Sequence, residues 1–182
     1  MNFFFLESRA MSIIKKIVEF DLNSSYVDGA YGPNGEDLGH DPEYDKFIDI
    51  IIENSSNEIL LKLVDKIRKF IKNISYRTGY CIITDDNLHF IMISNEQLCC
   101  EEYGIIKSND DLSYYEGLNL IDIKAIEDDH SGSGCRETCT LFVNIETSKG
   151  LLQLNVYNTH NGYYGHNVEV KTMDNIIYKT EL

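Results

Sequence analysis

Prolines are scarce in this chain, two in 182 residues, and no apolar run approaches the roughly 20 residues that a membrane-spanning helix needs. There is no Gly-x-Gly-x-x-Gly turn after a strand, no phosphate-loop lysine signature, no Gly-x-Ser-x-Gly elbow and no internal repeat. Those absences set aside the dinucleotide-binding, nucleotide triphosphatase, α/β-hydrolase and solenoid readings. Structural zinc sites usually carry two close ligand pairs at Cys-x-x-Cys-like spacing, and that signature is missing too. Positive charge is short: 16 Lys and Arg stand against 30 Asp and Glu, for a formal net charge of −14. Such a chain repels phosphate backbones, so no nucleic acid partner is expected.

No apolar run is followed by a small-residue cleavage site, and the cysteines number five, an odd count that suits reduced thiols better than a disulfide framework. A cytoplasmic setting is the expectation, without membrane attachment. The apolar start Met1-Asn2-Phe3-Phe4-Phe5-Leu6 is short and interrupted by Glu7 and Arg9, so residues 1–11 read as a frayed end.

With 43% hydrophobic residues, the chain holds enough apolar surface for one compact domain spanning 1–182. Its acidity is local. Residues 96 to 137 hold eleven carboxylates against three cations, so −8 of the net charge sits in that stretch. A solvated loop is the bland account of it; a basic protein partner or a metal cation is the functional one.

Ser12 to Phe20 fits a strand slightly better than a helix. Asp21 to Pro42 is loop chemistry, rich in Gly, Asp and Asn. Helices are expected at about 43–53, behind an Asp41 N-cap and Pro42, and at about 56–74. There a capping-box spacing precedes Ile59, Leu60, Leu63, Val64, Ile67, Phe70, Ile71 and Ile74 on one face. The lysines opposite, Lys62, Lys66, Lys69 and Lys72, read as a solvated face. From Gly79 the period changes from helical to extended. Tyr80–Thr84 and Leu88–Ser94 flank turn residues, Leu118–Ile126 is a further strand, and Thr140–Thr147 with Leu151–Tyr157 form a hairpin around Ser148-Lys149-Gly150. Leu141, Val143 and Ile145, with Leu152, Leu154 and Val156, give that hairpin one apolar face. Asn167–Lys171 and Ile176–Lys179 close the chain. The expected fold class is α+β: a mainly antiparallel sheet of about five or six strands, with the two helices packed on one face. Residues 43–74 are read as a helical insertion or addition to a β-rich core at 79–180.

Two segments concentrate unusual residue types: Glu96-Gln97-Leu98-Cys99-Cys100-Glu101-Glu102, and Tyr157 to His166 with Asn161-Gly162-Tyr163-Tyr164 at its centre. Neighbouring carboxylates raise a thiol pKa, so Cys100 is a poor nucleophile, and no catalytic residue is assigned. Cys81 and Cys99 suit buried packing. The binding candidates are Cys99, Cys100, Glu101, His160, Asn161, Gly162, Tyr163, Tyr164 and His166. Tyrosine beside a sharp turn offers large contact area at low entropy cost, although the same residues can instead cover a sheet edge. His130, Cys135 and Cys139 are the donors of an alternative zinc site.

Gln97-Leu98-Cys99-Cys100-Glu101 and Asn161-Gly162-Tyr163-Tyr164 together resemble a small, uncharacterised domain family of bacterial, phage and large-virus proteins. The resemblance covers about half the chain. It implies a β-hairpin ending in Cys-Cys-Glu, an acidic stretch, and a second hairpin followed by Asn-Gly-Tyr-Tyr, and it implies no activity. The abundance of Ile, Lys, Asn and Asp looks like translation of an AT-rich genome, which fits a large virus or a low-GC microbe; in the viral case the setting is the host cytoplasm. The expected function is a non-enzymatic module that binds a protein partner, basic in character, without a cofactor. The alternatives are a zinc protein, structural or hydrolytic, and a module whose motifs only stabilise its fold.

Overall fold

The computed structural model describes residues 12–22, 42–55, 57–74, 77–95, 101–109, 111–128, 137–160 and 165–182. Nine strands and two α-helices occur there: β1 (Ser12–Leu22), α1 (Pro42–Asn54), α2 (Asn57–Lys72), β2 (Arg77–Thr84), β3 (Leu88–Ser94), β4 (Glu102–Lys107), β5 (Asn119–Asp128), β6 (Glu137–Thr147), β7 (Gly150–His160), β8 (Asn167–Thr172) and β9 (Ile176–Glu181). The strands form one sheet in the order β4-β7-β6-β5-β1-β2-β3-β8-β9, and every pairing is antiparallel.

The expected sheet of five or six strands with helices on one face is therefore corrected: the sheet has nine strands and folds over on itself. The hinge is β1. Its first two residues, Ser12 and Ile13, pair with β5, while Ile14 to Leu22 pair with β2. A register irregularity between Ile14 and Lys16 bends the strand at the changeover. Beyond the hinge, β4-β7-β6-β5 lies over β1-β2-β3-β8-β9. The apolar face of the β6–β7 hairpin, expected under the helices, packs instead against the other half of the sheet. Leu141, Val143, Leu154 and Val156 share one core with Ile17, Ile82, Ile91 and Val170.

Helices α1 and α2 cover only the outer face of β1, β2 and β3. Tyr44, Phe47 and Ile51 of α1, with Ile67 and Ile71 of α2, bury Phe20, Cys81, Ile83 and Phe90. Phe20 stacks on Phe47 at 4.6 Å between ring centroids, and Phe70 lies 4.8 Å from Phe90. Strands β2 and β3 are thus covered on both faces, which explains why Tyr80–Thr84 and Phe90–Ile93 are continuous buried runs and not alternating ones. Among the described residues no helix is long and apolar enough to cross a membrane.

Two local features fix the register. Thr147 faces Gly150 across a two-residue turn, and Gly150 holds a positive φ of 148°. Gly79 of β2 sits where a Cβ would lie 2.0 Å from the carbonyl oxygen of Ile91, so only glycine lets β2 and β3 approach this closely.

Candidate functional site

Inward-facing residues alternate along β7 from Leu152 through Leu154 and Val156, and the same parity carries on to Asn158 and His160, both buried. Polar groups therefore replace apolar ones at one end of the folded sheet. β1 repeats the pattern: after Ile17 the inward parity continues to Glu19 and Asp21, which are exposed. At this end β4 begins and β8 begins, and their entry residues meet.

Glu101, just before β4, and His166, just before β8, are 65 positions apart in sequence, yet Nε2 of His166 lies 3.7 Å from Oε1 of Glu101. Their side chains are 0% and 3% exposed. The other imidazole nitrogen, Nδ1, lies 2.6 Å from the carbonyl oxygen of Ser94. A carbonyl only accepts, so Nδ1 carries the hydrogen and Nε2 is the atom that faces the carboxylate. Tyr103 of β4 stacks on the imidazole at 4.1 Å with planes 24° apart. The His166 backbone exchanges two hydrogen bonds with Leu182: His166 N donates to Leu182 O at 2.8 Å, and Leu182 N donates to His166 O at 3.0 Å. Asn158 Nδ2 also donates to Leu182 O, at 2.8 Å. This cluster ties β3, β4, β7, β8 and the residue after β9 into one knot.

Outside the knot lies an open cleft of about 560 Å³. Its walls are Glu19 and Asp21 of β1, Thr78, Gly79 and Tyr80 of β2, Glu102 to Ile105 of β4, and Tyr157 of β7, with Asn95 and Glu101 at its inner end. Tyr103 hydroxyl donates to Asn95 O at 2.8 Å, and Asn95 Nδ2 donates to Asp21 Oδ1 at 2.8 Å, so β4 and β1 are linked across the cleft. Burial raises the Tyr103 phenol pKa, with the Asp21 and Glu101 carboxylates adding to the effect, so the hydroxyl stays a donor at neutral pH. Lys107 reaches Glu19 at 3.9 Å at the far end of β4. The cleft thus offers carboxylates and phenol rings to a ligand, a surface that favours a cation.

Of the residues singled out from the sequence, Glu101 and His166 are brought together. His160, 9% exposed, lies two positions beyond Asn158 on the same face of β7. Cys139 pairs in register with Asn158 and packs half-buried against the inner core. Cys99, Cys100, Asn161, Gly162, Tyr163, Tyr164, His130 and Cys135 lie outside the described residues. The zinc-donor set is therefore represented by Cys139 alone, and no group of three or more His, Cys, Asp or Glu residues among the described ones is placed to hold a metal. Sequence reasoning missed Tyr103, Ser94, Asn95, Glu19 and Asp21. It also missed Asn158, whose signal was present in the unbroken alternation of β7.

Residues 57–170 match the family described as a domain of unknown function, DUF7448. The chain belongs to this family. The DUF7448 match runs from the first residue of α2 into β8, so it contains Glu101, Tyr103 and His166 but neither Glu19 nor Asp21. No curated protein and no solved structure matches the chain.

Proposed function

We propose that this DUF7448 chain is a non-enzymatic module that binds a basic segment of a partner protein in the acidic cleft. The observation that carries the reading is the convergence of Glu19, Asp21 and Glu102 with Tyr80, Tyr103 and Tyr157 on one open cleft, from four separate strands of the chain. Carboxylates beside the half-buried rings of Tyr103 and Tyr157 favour Lys and Arg side chains through charge and cation–π attraction. The acidic stretch from 96 to 137 adds long-range steering. Burial argues against a catalytic role for Glu101 and His166: their facing atoms are spent on each other and on Ser94, and their side chains are closed to solvent. They hold the cleft wall in place.

The reading includes a reducing, cytoplasmic setting and the paired Cys99-Cys100-Glu101 and Asn161-Gly162-Tyr163-Tyr164 motifs as a family feature of AT-rich genomes, large viruses among them. The tyrosine pair follows His160 and precedes His166, both of which belong to the buried end beside the cleft. Fluorescence anisotropy with a labelled Lys/Arg-rich peptide and a labelled Glu-rich control tests the proposal. The basic peptide is expected to bind, with affinity falling as salt rises. The combined Glu19→Gln, Asp21→Asn and Glu102→Gln variant is expected to lose most of that binding. Equal affinity of wild type and variant would remove the reading.

A further inference from the structure

The cleft has a second property besides its charge: one wall is a strand edge that no described residue pairs. β4 is the terminal strand of the sheet, and β7 is its one neighbour among the described residues. Ser108 N donates to Gln153 O at 2.9 Å. Hydrogen-bonded positions in an antiparallel pair recur every second residue. Counting back from Ser108, the backbone groups of Ile106, Gly104 and Glu102 therefore face β7. Those of Tyr103, Ile105 and Lys107 face the other way, and no strand among the described residues pairs with them. The cleft takes in residues from both faces of β4, Tyr103 and Ile105 on the inner side and Glu102 on the outer, together with Tyr157, whose ring lies against Gly104. It therefore opens along the free edge.

We infer that the open edge of β4 accepts an extended segment of a partner protein as an added strand, with Lys or Arg at alternate positions of that segment. A strand laid beside β4 finds three backbone N–H and three C=O groups already aligned. Side chains of one parity then point to Glu19 and Asp21, both exposed on β1. Those of the other parity lie beside Ile106, which is 59% exposed on the outer face. Charge selects the occupant. A second copy of this chain would bring two chains of net charge −14 together at their acidic clefts, whereas a basic segment neutralises the carboxylates it meets.

This inference rests on the proposed cleft function, and its test separates the two. The probe is a six-residue peptide of alternating lysine and valine, blocked at both ends, compared with the same peptide N-methylated at every second residue. The readouts are binding affinity and amide hydrogen exchange of Tyr103, Ile105 and Lys107 in the full chain. The expected result is fast exchange in the free protein, slowing of at least about tenfold with the plain peptide, and loss of at least about tenfold in affinity on N-methylation of the edge-facing amides. Ile105→Pro removes an edge N–H without removing a bond to β7 and is expected to weaken binding similarly. The N-methylated peptide makes the same comparison on unaltered protein if that variant fails to fold. Equal binding of both peptides overturns the strand inference and leaves the acidic-cleft reading intact. Absence of binding by either peptide overturns both. Protection of the three amides in the free chain, at all dilutions for an intramolecular occupant or only at high concentration for a second copy, overturns the partner-strand assignment.

Discussion

Replacing His166 with alanine tests the knot behind the cleft directly. The substitution removes the Nδ1 hydrogen bond to Ser94, worth about 1 kcal/mol net, and the stack on Tyr103, worth about 0.5 to 1.5 kcal/mol. It also removes the imidazole facing a Glu101 side chain that is 0% exposed. Emptying the space of a ring that is 3% exposed adds a cavity and packing cost of about 1 to 3 kcal/mol. The expected total is about 3 to 5 kcal/mol, since the separate losses overlap. That is a large share of a typical domain stability of about 5 to 15 kcal/mol. Urea unfolding followed by circular dichroism supplies the measurement, with the shift in midpoint read at constant slope. Glu101→Gln and the double variant complete a thermodynamic cycle, for which a coupling of about 1 kcal/mol or more is expected. A His166→Ala cost below about 1 kcal/mol with no coupling would refute the claim that this pair fastens β4 to β8.

Three further outcomes are expected from the same fold. Gly79→Ala places a methyl group 2.0 Å from a backbone carbonyl of β3, and thermal unfolding is expected to show a loss of about 2 to 3 kcal/mol by overpacking; an unchanged midpoint would mean that the two strands part easily. His89 has both ring nitrogens buried without a hydrogen-bond partner among the described residues, and burial lowers its pKa against the opposing pull of Asp86. The unfolded chain therefore binds a proton near pH 6.5 that the folded chain resists, so this residue's contribution to stability falls as pH drops below about 6.5 toward the lowered value. His89→Leu is expected to flatten the difference in stability between pH 7.5 and 5; identical slopes in wild type and variant would exclude that titration. A fragment confined to residues 57–170 lacks β1, which stands between β5 and β2, and lacks β9. It is expected to show no cooperative unfolding transition, and a sharp one would show that β5 and β2 close on each other without β1.

The hairpin of β6 and β7 was legible because Leu141, Val143 and Ile145 alternate with polar residues, and a period of two has one structural meaning over that length. What the alternation cannot reveal is the opposing layer. A buried face reads the same whether a helix or a second sheet covers it, and here the cover is the chain's own β2, β3 and β8. β4 was invisible for a different reason. Glu102-Tyr103-Gly104-Ile105-Ile106-Lys107 is short, has glycine in its middle and lies in the most acidic part of the chain. Its strand character comes from pairing with β7 and not from its own propensity. The Glu101–His166 contact was equally hidden, since each lies next to a motif that drew attention for its cysteines or tyrosines.

The two components of the proposed site have different origins along the chain. The backbone edge of β4 that no described residue pairs lies inside the stretch that defines DUF7448, whereas Glu19 and Asp21 come from β1, outside it. A strand edge recognises any extended segment, because backbone groups are common to all sequences; side chains beside the edge decide which segment is kept. In this chain the general element is therefore supplied by the family stretch, while β1 adds two of the three cleft carboxylates, Glu102 being the third. Exchanging Glu19 and Asp21 for lysine should redirect the preference from basic to acidic peptides while leaving the strand geometry unchanged. Anisotropy with the two labelled peptides reads the exchange, and a variant that still prefers the basic peptide would locate the selectivity elsewhere on the cleft wall.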